Sequence, residues 1–186
     1  ASTQTVSLTM DTNSGTVEYY GTGSYTGLKA GNTYYNLIFN GTGTWTLNAA
    51  LDVNNDLTLT QGTLDVSSSN RAITIGGSFT KSSSATFNAR SGTVTFNGDG
   101  ASSDKTITSN GLSFYNVVFN ASGDTWTIQD ALTVSHDLTI TNGTLDISDK
   151  NITVSHTFSN DGTLRLIGAS TQTVSLTMDT NSGTVE

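Results

Sequence analysis

The stretch YNLIFNGTGTWTLNAALDVNNDLTLTQGTLDVS (Tyr35–Ser67) returns, almost residue for residue, as YNVVFNASGDTWTIQDALTVSHDLTITNGTLDIS (Tyr115–Ser148). Its internal pattern decides the fold class. In TWTL, Trp45 and Leu47 share one side of an extended chain while Thr44 and Thr46 share the other, because successive side chains of a strand point to opposite faces. Leu57 with Leu59, Val94 with Phe96, Leu164 with Leu166, and Val174 with Leu176 and Met178 alternate in the same way. Asn-Gly, Asp-Gly, Gly-Asp-Gly and Ser-Ser separate these runs and supply turns. Short alternating runs closed by turns predict an all-β chain.

The self-similarity extends in both directions. SGTVEYYGTG from Ser14 matches SGTVTFNGDG from Ser91, which divides the chain into half-repeats of about 14–90 and 91–181. ASTQTVSLTMDTNSGTVE occurs at Ala1–Glu18 and again, unchanged, at Ala169–Glu186, so that one full period runs from Ala1 to Gly168. On a finer scale, a Gly-Thr-(Val/Leu) start recurs at Gly15, Gly62, Gly92, Gly143, Gly162 and Gly183. The gaps from Gly15 to Gly62 and from Gly92 to Gly143 are roughly double the others, and counting each of them twice predicts seven coils of about 24 residues per period. The second half also accommodates GTLRLIGASTQTVSLTMDTN, which the first lacks. A stack of coils grows by such additions, whereas a closed sandwich would need a new topology. Residues 1–186 are therefore expected to form one continuous β-solenoid segment, a right-handed parallel β-helix by the usual hand of parallel crossovers. Seven coils at the spacing of paired strands would advance roughly 34 Å per period.

Composition narrows the function. Thr is the commonest residue and proline is absent; charged residues make up only 12%, too few for solvated helix faces. The net charge of −8 has no basic patch within it, which argues against nucleic acid and anionic membrane surfaces as partners. Zero cysteines exclude disulfides, thiol catalysis and cysteine-ligated zinc. No apolar run reaches the length of a membrane span.

GTLDVSSSNRAITIGGSFTKSSSATFNARSGTVTFNG (Gly62–Gly98), LSFYNVVFN (Leu112–Asn120) and DLTITNGTLDIS (Asp137–Ser148) resemble the parallel β-helix repeats of giant bacterial surface and secreted proteins. That resemblance covers nearly the whole chain. It implies an extracellular or cell-surface structural protein, a stalk or scaffold whose partners are further copies of the same repeat.

Few residues promise chemistry beyond this. His136 and His156 align with Asn55 and about Gly77 in the other half, so neither belongs to the repeating plan, and neither forms a catalytic constellation along the sequence. Asp56 recurs as Asp137 and Asp65 as Asp146; a carboxylate repeated down a solenoid suits turn closure on backbone N–H groups rather than glycoside cleavage. Lys150 beside Asp146 and Asp149 is the nearest acid–base cluster, and a surface ion pair explains it. No catalytic residue and no cofactor are expected, apart from a calcium option at the oxygen-rich turns Asn97–Gly100 and Ser135–Thr139. Asn40, Asn120, Asn142 and Asn151 stand in Asn-x-Ser/Thr triplets, which this composition produces without selection for glycosylation.

Trp45 and Trp126 have inward parity and are expected in the core. The YYNLIF and FYNVVF runs have apolar residues on both sides, with Tyr34, Ile38, Phe114 and Val118 on the side opposite the core set. These four form either a surface under a loop or an exposed stripe for lateral contact. Thr-x-Thr triplets invite comparison with ice-binding solenoids, although their uneven spacing spoils a lattice. Ala1–Glu18 and Ala169–Glu186 are expected to mediate end-to-end stacking, in a covalent tandem array or a head-to-tail polymer. The function expected is a structural filament or adhesin stalk. The alternative is an adhesive module for carbohydrate or neighbouring filaments, and a β-helix lyase or hydrolase ranks lower for want of an unrepeated acidic cleft with a basic partner.

Overall fold

The computed structural model describes residues 11–98, 104–179 and 182–186. Among the described residues there is no helix, and the paired strands run parallel from one turn of a solenoid to the next. Each turn carries three extended stretches, one per face. On the first face Val17 stacks on Leu37, Leu37 on Leu57, Leu57 on Phe79 and Phe79 on Ile107. Two residues earlier on that last strand, Lys105 stacks on Trp126, which is followed by Leu145, Leu164 and Val185.

Val17 and Val185, the same residue of the duplicated segment, thus lie on one sheet eight strand-to-strand steps apart. Eight turns replace the seven expected. Seven would follow if every Gly-Thr start marked the same face, and the starts do not. Thr63 of Gly62-Thr63 belongs to the second face, through Tyr25–Trp45–Leu64–Phe87, and Thr93 of Gly92-Thr93 to the third. At the usual strand spacing, eight steps advance about 38 Å.

The third face runs Tyr34–Val53–Ile75–Phe96–Phe119–Ile140–Asn160. Leu37 and Phe39 stand on the first face, yet their counterparts Val117 and Phe119 stand on the third. The path from Leu37 to Val117 is not a whole number of turns, so the half-repeats are displaced by one face around the coil.

The strands Asn36–Thr46, Leu57–Asp65, Asn116–Ile128 and Leu138–Asp146 bend around corners, with register shifts after Phe39 and Phe119. Successive backbones nearly touch there. A Cβ on Gly41 would fall 2.2 Å from the Gly21 carbonyl oxygen, and one on Gly62 2.2 Å from that of Gly41. Gly41 and Gly62 therefore have no room for a side chain, while the next position of the column opens enough to take Ala85.

The interior is a stack of alternating apolar residues, as the parity of the strands predicts, except that Val174 and Met178, expected on the apolar side, are exposed. Trp45 and Trp126 are buried, with Trp45 packed on Tyr25 at 5.6 Å between ring centroids and Trp126 against Phe119 at the same separation. The indole N–H of Trp126 donates to the Gly77 carbonyl at 3.0 Å, so the one polar atom of the ring is satisfied. One core feature has no signature in the strand pattern. Lys105 occupies the column position that Tyr25 holds in the first half, and its Nζ lies 3.1 Å from Asp124 Oδ1, both side chains being 3% exposed. Asp124 is the residue by which ASGDTW exceeds GTGTW, so an inward lysine and an inserted carboxylate arrive together.

Candidate functional site

The repeated Asp and Asn residues form relays along the corners. Asn36 Oδ1 accepts the Asp56 N–H at 3.2 Å, Asp56 Oδ1 accepts the Ser78 N–H at 2.7 Å, and Ser78 Oγ accepts the Thr106 N–H at 3.0 Å. In the second half Asn116 Oδ1 accepts the Asp137 N–H at 3.2 Å and Asp137 Oδ1 that of Thr157 at 3.1 Å. Asp65 and Asp146 each close their own turn on the N–H two residues ahead, at 2.7 Å. Asp65 and Asp146 close turns as their periodicity predicted, whereas Asp56 and Asp137 satisfy a backbone donor of the next turn instead. The Asn residues of the Asn-x-Ser/Thr triplets are engaged similarly: Asn40 donates to Glu18, Asn142 to Asn120, and Asn151 accepts from the Thr173 N–H. Lys150 pairs with Asp149 at 2.6 Å on the surface.

The second half departs from this plan at one place. Its corner carries histidine where the first half has Asn55 and Gly77; the backbone N–H of His136 reaches Tyr115 O as that of Asn55 reaches Tyr35 O, and His156 N–H reaches His136 O as Gly77 N–H reaches Asn55 O. The side chains of Tyr115, His136 and His156 therefore stack on three successive turns. Ring centroids are 4.7 Å apart for Tyr115 and His136 and 4.3 Å for the two imidazoles, with planes within 17° of parallel. Asp137 lies beside both: Oδ2 is 3.0 Å from His136 Nδ1 and Oδ1 2.6 Å from His156 Nδ1. The hydrogen bond from His156, aided by the Thr157 N–H and hydroxyl and by His136, holds the Asp137 carboxyl below the usual range against an opposing desolvation. Asn116 Oδ1 lies 3.1 Å from His136 Nδ1, and Thr157 Oγ1 3.0 Å from His156 Nδ1. His136 and Asp137 are half-buried and His156 is exposed, so solvent ions reach the group. The histidines are one full turn apart along the chain, and only the length of that turn makes the spacing an adjacency. Their alignment with Asn55 and Gly77, two residues on successive turns, was the signal in the sequence.

The stripe of Tyr34, Ile38, Phe114 and Val118 does not exist as a surface. Tyr34 and Phe114 are fully buried. Parity carried straight through Tyr35 and Tyr115 would put them outside, but the chain turns there, since Thr33–Tyr34 and Asn36–Thr46 are separate strands on different faces. Tyr34 donates to the Gly31 carbonyl at 2.6 Å and meets the Tyr19 hydroxyl at 2.8 Å; burial, reinforced by Tyr19, pushes its ionisation well above the usual value. Ile38 and Val118 do face outward, half-buried, but each is a single apolar residue in a polar column, Ile38 between Glu18 and Thr58 and Val118 between Thr95 and Thr139. Of the Asn97–Gly100 turn, residues 99 and 100 lie outside the described residues.

The duplicated segment occupies complementary slots. Ala1 lies outside the described residues; Ala169 closes a turn by accepting the Gln172 N–H at 2.9 Å. Near the beginning, Thr16–Tyr19 pairs with the strand that follows it, through Thr16–Asn36, Val17–Leu37 and Glu18–Ile38. Near the end, Thr184–Val185 pairs with the strand that precedes it, through Thr163–Thr184 and Leu164–Val185, and Glu186 meets Arg165 at 3.2 Å. Gly15 and Gly183 have the same left-handed backbone, φ 83° and 77°. A Cβ on Gly183 would lie 2.1 Å from the Asn160 carbonyl oxygen, whereas one on Gly15 would meet none of the described residues within 4 Å.

Comparison with protein-family models, with curated proteins and with solved structures finds no match for this chain.

Proposed function

We propose that this protein is a segment of a stiff extracellular rod, the shaft of a bacterial surface filament or adhesin stalk, built from β-solenoid periods like Ala1–Gly168 joined in tandem. The observation that carries the reading is the pair of complementary slots. One copy of the segment supplies the pairing toward Leu164, the other the pairing toward Leu37, so a single copy with both neighbours completes a continuous ladder Leu164–Val17–Leu37. In that joint Glu18 would take both the Arg165 contact seen for Glu186 and the Asn40 hydrogen bond it makes here at 2.8 Å. Every added period then buries the edge of the last, leaving unpaired strand edges only at the rod tips. The function is mechanical: the shaft transmits load and sets distance. The carbohydrate- or filament-binding alternative depended on exposed Tyr34 and Phe114, and their burial removes that support.

Chains of one, two and four periods test the reading by electron microscopy and small-angle scattering. Each period should lengthen a rod of constant width by about 38 Å. Periods that fold as separate beads, with a flexible step between them, would overturn it. The denatured polypeptide from its source should weigh several times 19.4 kDa.

A further inference from the structure

We propose that His136, Asp137 and His156 form a binding site for a borderline transition-metal ion, zinc or copper(II), on the side of the solenoid. This inference rests on the geometry of one corner and is independent of the rod reading. Three ligand atoms, an imidazole nitrogen from each of two turns and a carboxylate oxygen between them, lie within 4.8 Å of one another. Ligands around a tetrahedral zinc ion at about 2.0–2.2 Å stand a little over 3 Å apart, and the two nitrogen–oxygen separations here are 3.0 and 2.6 Å. Asp137 turns Oδ2 to His136 and Oδ1 to His156, and the imidazole planes lie 17° from parallel, so an ion takes the place of the proton in the Asp137–His156 hydrogen bond once the two rings turn to aim both nitrogens at it. Asn116 Oδ1 and Thr157 Oγ1 stand next to the two nitrogens and can accept a hydrogen bond from a metal-bound water.

The donor set selects the ion. Two imidazoles and one carboxylate suit zinc and copper(II), while calcium prefers six to eight oxygens. The calcium option at Ser135–Thr139 thus gives way to a nitrogen-binding ion at the same turn. The backbone is already rigid there, since both histidines sit on the corner ladder that Asn55 and Gly77 build without any imidazole. Structure alone does not require these side chains at this corner. In a tandem array the site would recur once per period.

Isothermal titration of the untagged chain with zinc chloride at pH 7.5 tests the proposal. One ion should bind per chain. His136→Asn and His156→Gly install the residues of the first half, so circular dichroism should be unchanged while zinc affinity falls at least tenfold. Calcium chloride at the same concentration should give no saturable heat. Absence of saturable zinc binding, or zinc binding undiminished in the correctly folded double variant, would overturn the assignment.

Discussion

Asp124→Ala should be among the most damaging single changes in the second half. The Asp124 and Lys105 side chains are each 3% exposed and 3.1 Å apart, and Lys105 Nζ also lies 5.4 Å from the centre of the Trp126 ring. Removing the carboxylate takes from this buried ammonium group the counter-charge 3.1 Å away, and breaking a buried pair costs up to about 3–5 kcal/mol. Against the roughly 5–15 kcal/mol that holds a whole domain folded, that is a large share. Solenoids need not unfold in one step, so the local readout is hydrogen exchange at the Gln129 amide, which donates to Ile107 O at 2.8 Å on the rung joining these strands. Exchange there should accelerate between about one hundred-fold and a few thousand-fold. Lys105→Tyr alone should do comparable harm by stranding Asp124. Lys105→Tyr combined with deletion of Asp124 recreates the first-half arrangement of Tyr25 on Trp45 and should restore most of the protection. An effect of Asp124→Ala below about 1 kcal/mol would mean that the pair reaches water. A double change worse than either single one would refute the idea that insertion and lysine compensate each other.

Other changes report on other parts of the stack. Tyr34 keeps its proton in the folded chain above the pH, about 10, where an unfolded tyrosine ionises, so stability is intact below that pH and falls as it rises further; Tyr34→Phe should abolish this alkaline loss in pH-dependent denaturation curves. Asp65 behaves in the opposite sense. Two hydrogen bonds from Arg90, at 2.6 and 2.8 Å, hold its carboxyl below the usual range, so the stabilisation is present above about pH 4 and lost as the pH falls through the lowered value. Arg90→Met should accordingly shift the midpoint of acid unfolding to higher pH.

The amino-acid sequence by itself determined the class of this protein: all-β, repetitive, with Trp45, Leu57, Phe96 and Trp126 inside and Asp65 and Asp146 closing turns. Those conclusions need only the two-residue period of a strand and the chemistry of turn residues, both local properties. What tertiary structure decided were the relations between turns. Whether Gly62 and Gly15 share a face, whether the chain bends at Tyr35, and whether His136 lies over His156 all depend on the length of each circuit. Successive columns show that length varying, from the short circuit between Leu145 and Leu164 to the much longer one between Phe79 and Ile107. Side-chain alternation is blind to it. A corner can absorb one residue more or fewer, as it does at Asp124, and only the hydrogen-bonded register of neighbouring strands fixes which residues finally meet.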